Sequence, residues 1–134
     1  MSGHPVAVVT GGAGFIGSHM VDVLIGEGYE VRVIDNLVGG RTENLAQHRN
    51  DSALTLEERD IRSYAPDDRL FKGAREVFHF AGIGDIVPSI ERPLEYMSVN
   101  TQGTAHMLEC ARNAAVTGCV HRPLHFVPAS RLAL

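Results

Sequence analysis

Four glycines fall within the seven residues Gly11 to Gly17 of the stretch TGGAGFIGSHMVDVLI. Gly12, Gly14 and Gly17 fit the spacing GxGxxG, and Gly11, Gly14 and Gly17 fit GxxGxxG. Positions without a side chain let the backbone turn tightly and bring its N–H groups against a pyrophosphate, while the last glycine lets a helix lie close to a strand. A helix that starts there adds the positive end of its dipole. Asp35 ends the next apolar run, about 20 residues on, where a carboxylate accepts hydrogen bonds from a ribose diol and repels a 2'-phosphate. That pairing favours NAD over NADP. Glycine clusters also make ordinary turns, so the assignment depends on the elements around them.

Those elements are of the required kind. PVAVVT (Pro5 to Thr10), EVRVID (Glu30 to Asp35), ALTLEERDI (Ala53 to Ile61) and REVFHFAG (Arg75 to Gly82) read as short buried strands. Phe15 to Glu27 carries Ile16, Met20 and Leu24 on one face with Val21 and Ile25 beside them, and Gly26 and Gly28 stop it. A longer helical pattern runs from about Pro93 to Ala115, with proline in its first turn. Strands alternating with helices predict an α/β fold, a Rossmann-type doubly wound parallel sheet of order 3-2-1-4. Residues 1–116 form this nucleotide-binding domain, and 117–134 form an atypical tail that could add an edge strand, so that the sheet ends after about its fourth or fifth strand.

Composition excludes several other roles. The chain has 134 residues, 12 Lys plus Arg against 16 Asp plus Glu, and a net charge of -4. It lacks the basic excess that holds a polyanion, so nucleic acid is not an expected partner. No apolar run approaches the roughly 18 residues of a membrane span, and MSGHP has neither the basic nor the apolar part of a signal peptide; a cytoplasmic location is expected. Cys110 and Cys119 lack metal-site spacing, and none of the seven histidines falls in an HxxxH or HExxH pattern, so no metal is expected.

VTGGAGFIGSH, VIDNL, RDI, VFHFAG and RPLEYMSVNTQGTAHMLECAR, taken in order, resemble the extended short-chain dehydrogenase/reductase family, in its UDP-glucose 4-epimerase-like nucleotide-sugar epimerase and dehydratase branch. The resemblance covers about Val6 to Ala115. It implies that Gly11, Gly14, Phe15, Ile16 and Gly17 line the pyrophosphate and that Asp35 and Asn36 hold the adenosine ribose. It further implies that Asp60 and Ile61 flank the adenine, that Phe80, Ala81 and Gly82 pass under the nicotinamide half, and that Asn100 sits near the nicotinamide ribose. Ser89, in the segment after the fourth strand, is the one candidate substrate contact, the substrate being a UDP- or dTDP-sugar in the complete enzyme.

The same resemblance exposes a departure. The family keeps a tyrosine reactive with a lysine four residues later, and that tyrosine exchanges a sugar hydroxyl proton while the nicotinamide carries hydride. Here the residues four places after Tyr29, Tyr64 and Tyr96 are Val33, Asp68 and Asn100, and Lys72 is the sole lysine. The expected fifth strand contains Pro123 and Pro128, and the Ser-rich turn is reduced to Ser130. The expected function is therefore the NAD-binding portion of a nucleotide-sugar epimerase, a chain that binds without turnover and assigns no catalytic residue. A dehydratase or reductase portion and a non-catalytic NAD-binding module remain as alternatives. An uncovered sheet edge would favour self-association.

Overall fold

The computed structural model describes residues 3–121 and 125–128. Six strands form one sheet in the order β3-β2-β1-β4-β5-β6. They are β1 (Val6–Thr10), β2 (Glu30–Asp35), β3 (Leu54–Glu58), β4 (Ala74–His79), β5 (Gly118–His121) and β6 (His125–Pro128). The first five run parallel, and β6 returns antiparallel to β5 with Gly118 opposite Pro128.

The apolar run of β1 is continuous because both of its faces are covered. Ala7, Val8 and Val9 are fully buried. Ala7 and Val9 face α1 (Phe15–Gly26) and pack with Val21, Leu24, Val31 and Val33. Val8 faces the other layer, where Ile34, Tyr64, Phe71, Val77, Met107 and Cys110 meet. Burial pushes the Cys110 and Cys119 thiols up to about 11.

The seam of α1 differs from the expected Ile16–Met20–Leu24 stripe. Gly17, Ser18, Val21 and Leu24 are its buried residues, while Ile16 is half exposed. The bare backbone at Gly17 lets that side of the helix approach closest, and this sets its rotation.

The stretch Pro93 to Ala115, expected as one helix, is broken into α3 (Pro93–Met97), a π-helical turn (Ser98–Gln102) and α4 (Gly103–Asn113). Before it lies α2 (Ile86–Glu91), in the segment that follows the fourth strand. Pro93 separates α2 from α3, because proline donates no backbone hydrogen bond and disfavours helical geometry at the residue before it; Arg92 adopts φ -130 and ψ 57.

Five parallel strands agree with the expected sheet. The antiparallel β6 was not expected, and it makes β5 an interior strand. Pro128 ends β6 at the sheet edge, where a residue without an N–H is tolerated. Pro123 and Ser130 lie outside the described residues.

Candidate functional site

β1 is flanked by β2 and β3 on one side and by β4, β5 and β6 on the other, so the chain changes direction across the carboxyl end of β1. Loops leaving such a point diverge and leave a crevice. A cleft of about 370 Å³ opens there. Gly11, Gly14, Phe15, Ile16 and Gly17 line it between Asp35, Asn36, Asp60 and Ile61 on the β2 side and Phe80, Ala81 and Gly82 on the β4 side. All of the expected cofactor residues except Asn100 therefore share one cavity.

Gly11 and Gly17 are required by packing against backbone. Gly11 has φ +68, and a Cβ there would lie 2.8 Å from the Ala81 nitrogen. A Cβ at Gly17 would overlap the Gly11 carbonyl oxygen. Together they press the loop onto the exit of β4 and α1 onto the loop. Gly14 has a different part: it is the N-cap of α1, in extended backbone at φ -78 and ψ 178, and no side chain caps the helix. The N–H groups of the first turn have no earlier helical carbonyl to bond. By contrast, the 3-10 turns Ile61–Ser63 and Arg69–Phe71 are capped by Asp60 and Asp68, which accept from Arg62 N–H and Leu70 N–H. The starts of α2 and α3 also have no side-chain cap, but the opening of α1 is the one whose first turn lines the cleft together with the glycine loop, and a pyrophosphate fits its donors.

Asp35 is 7% exposed and held on both oxygens. Its Oδ2 accepts the Ala13 N–H at 3.0 Å and its Oδ1 the Leu37 N–H at 2.8 Å. An ionised carboxylate has about four acceptor sites, so capacity remains for a diol. Leu37 takes φ 60 and turns the chain sharply after β2. Arg41 N–H and Asn44 Nδ2 then both donate to the Ala13 carbonyl, at 3.0 and 2.8 Å, stitching the returning loop to the glycine turn. This return brings Val38, Gly39 and Gly40 to the cleft wall. Sequence reasoning missed all three, although the Gly39–Gly40 pair was a visible signal. It also missed Ile34, Arg59, Ile83, Gly84, Asp85 and Val99, which line the cavity through tertiary placement alone.

Three expected residues are engaged elsewhere in part or in full. Asp60 lines the cleft but binds Arg62, accepting its N–H at 2.8 Å, Nε at 2.9 Å and Nη2 at 2.5 Å; Arg62 holds the carboxyl below its ordinary range. Asn100 is off the lining, where Val99 stands instead, and its amide grips Ile83. Ser89 lies in α2, off the cleft wall, with its hydroxyl donated to the Ile86 carbonyl at 2.5 Å.

No tyrosine lines the cleft. Tyr29 donates to Glu76 at 3.2 Å, and burial together with Glu76 raises its phenol above the ordinary value. Tyr64 is 1% exposed, beneath the Arg59 guanidinium at 3.8 Å from the ring centre, and burial raises it strongly. Among the described residues there is no group of three ligands able to hold a metal, and no helix long and apolar enough to cross a membrane.

The profile of the GDP-mannose 4,6 dehydratase family matches residues 8–130, running past residue 116 into the C-terminal segment. The bovine (Bos taurus) UDP-glucose 4-epimerase is 40% identical over 123 residues, spanning 84% of this chain and 35% of that enzyme. Among solved structures, a UDP-N-acetylglucosamine 4-epimerase from Methanobrevibacter ruminantium M1, in complex with UDP-N-acetylmuramic acid, superposes with a TM-score of 0.81 at 30% identity, covering 98% of this chain and 48% of its own. The dTDP-glucose 4,6-dehydratase DesIV of Streptomyces venezuelae, with NAD bound, gives a TM-score of 0.79 at 37% identity, covering 87% of this chain and 38% of its own. The chain thus spans less than half the length of these relatives. With a profile match over most of its length and solved relatives superposing on 87% to 98% of it, the chain belongs to the GDP-mannose 4,6 dehydratase family of epimerases and dehydratases.

Proposed function

We propose that the chain binds NAD across this cleft, with the adenosine on the β2 side, the pyrophosphate over the opening of α1 and the nicotinamide half on the β4 side. The carrying observation is the free helix opening beside a buried carboxylate: donors for the pyrophosphate and an acceptor for the ribose sit in one cavity at the switch point. Asp35 sets the direction, because the acid at the end of the second strand takes the adenosine ribose in folds of this kind. It also faces the position a 2'-phosphate would occupy, which favours NAD over NADP.

In a longer protein of the kind this chain matches, the site serves a nucleotide-sugar epimerase acting on a UDP-sugar, with reversible oxidation at C4. NAD supplies the hydride acceptor and donor for that step. The residues of this chain bind and orient it. They supply no tyrosine–lysine pair at the cleft, so the 134-residue chain binds the cofactor and does not turn over. A dehydratase is the second reading, favoured by the likeness to DesIV; both reactions begin with hydride transfer to the same cofactor.

Calorimetric titration of the chain with NAD and NADP tests the assignment, and equal affinity for the two would overturn it. Adding UDP- and dTDP-sugars and following reduced-nicotinamide absorbance tests the absence of turnover. Absorbance that grows with the amount of chain would require a base not identified at this cleft.

A further inference from the structure

Thr10, His79 and Thr104 form a line of side chains beneath the cleft that the binding of a nucleotide does not by itself explain. Thr10 ends β1 and His79 ends β4, each one residue before the segment that lines the cavity. Thr104 lies at the start of α4, just after the π-helical turn. Thr10 is fully buried and His79 is 3% exposed. The Ala81 N–H donates to Thr10 Oγ1 at 3.1 Å, and Thr10 Oγ1 lies 2.6 Å from His79 Nδ1. On its other side, His79 Nε2 lies 3.0 Å from Thr104 Oγ1, whose hydroxyl donates to the Asn100 carbonyl at 2.6 Å.

The carbonyl end of this line fixes the direction of the bond next to it. A carbonyl only accepts, so the single Thr104 hydroxyl proton goes to Asn100, and His79 Nε2 must carry a proton and donate to Thr104. At the other end Thr10 Oγ1 accepts the Ala81 N–H and keeps its second lone pair and its own proton for the contact with His79 Nδ1.

The line continues into the cleft wall. Ile83 N–H donates to Asn100 Oδ1 at 2.9 Å, and Asn100 Nδ2 donates back to the Ile83 carbonyl at 2.8 Å. Between them, a Cβ at Gly82 would stand 3.1 Å from Asn100 Oδ1. The segment Ala81–Ile83 is thus anchored at one end by Thr10 and at the other by Asn100, and His79 joins the two anchors.

We propose that His79, acting through Thr10 and Thr104, is a positioning residue that sets the shape of Ala81–Ile83 for the half of the dinucleotide beyond the pyrophosphate. The proposal rests on the NAD reading above.

The test compares NAD with ADP, which carries the adenosine and pyrophosphate but nothing for the β4 side. Thr104→Val keeps the shape of the side chain and removes the acceptor of the His79 Nε2–H. It should weaken NAD on the order of tenfold while changing ADP less than about twofold, and Thr104→Ser, which restores the hydroxyl, should recover the NAD affinity. Equal losses for both nucleotides, or unaltered NAD, would overturn the proposal. A second measurement does not depend on the variant folding: nitrogen NMR of the unmodified chain, with the His79 signals assigned through His79→Gln, should show a protonated Nε2 at neutral pH. A ring protonated on Nδ1 alone would refute it. If the unmodified chain binds neither nucleotide, the cofactor reading fails and the positioning role with it, whatever tautomer is found.

Discussion

The unit β1–α1–β2 and the helical stretch Ile86–Gln102 stand on two sides of one cleft and are held in opposite ways. In the first, both faces of the strands are covered, and Ala7, Val8, Val9, Val31 and Val33 lose all contact with water. In the second, α2, α3 and the π-helical turn bury no residue, while Ile86, Ile90 and Leu94 are 77%, 74% and 85% exposed. That stretch is tied down by a few polar contacts, Arg62 Nη1 to Ser98 at 3.0 Å and Asn100 to Ile83, and carries the Arg92–Glu95 ion pair at 2.8 Å within itself. Burial of apolar surface is cooperative and fixes the first unit as part of the core, whereas exposed polar ties stabilise little apiece. The β1–α1–β2 side of the cleft is therefore built by the folding of this chain, and the other side leans on it.

The largest effect should come from Gly17→Val, which forces a branched side chain into the Gly11 carbonyl and drives α1 off the sheet. A loss of about 3 kcal/mol or more is expected, read as a lowered or vanished thermal transition. A variant that melts like the parent would show that the glycine loop is not clamped as described.

Next in size is Gly14→Val. The extended backbone at this residue accepts a side chain, and the nearest atom to its Cβ is the Gly11 oxygen at 3.2 Å, so the melt should move little. NAD binding should fall more than about a hundredfold, because the side chain blocks the approach to the first N–H groups of α1. Unchanged calorimetric affinity would place the phosphate site elsewhere.

Asp35→Ala should have a smaller and mixed effect. It strips the Ala13 and Leu37 N–H groups of their acceptor, costing about 1–3 kcal/mol in a denaturant titration, and it should narrow the gap between NAD and NADP. Undiminished discrimination between the two cofactors would remove Asp35 from the ribose site.

The smallest effect should be at Leu94→Glu on the exposed helical stretch, where the melting transition should shift by no more than about 0.5 kcal/mol. Light scattering of the same variant tells where any self-association runs. A fall relative to the parent locates it on this apolar face, and no change leaves the sheet edge as its place. A large loss of stability at Leu94 would break the comparison, since it would make this stretch part of the core.

The sequence by itself determined the parts whose chemistry is local. A tight turn pressed against a neighbouring strand exit demands absent side chains, a strand covered on both faces demands an unbroken apolar run, and a turn leaving a strand is held by an acid at the strand end; Gly11, Gly17, Val6–Val9 and Asp35 carry those demands as residue types. The β2 bounds, Glu30–Asp35, were legible for the same reason. Only the tertiary structure decided what depends on which distant backbone comes alongside. The pairing of Thr10 with His79, 69 residues apart, follows from β4 lying next to β1, and the grip of Asn100 on Ile83 follows from where the π-helical turn meets the exit of β4. Gly40 and Val99 reach the cleft in the same way, one by a loop folding back over Ala13 and the other by the break in a helix that periodicity alone predicts to be continuous. A linear pattern records which residues prefer a strand or a helix. It carries no record of strand order or register, and those place side chains from distant parts of the chain within hydrogen-bonding reach.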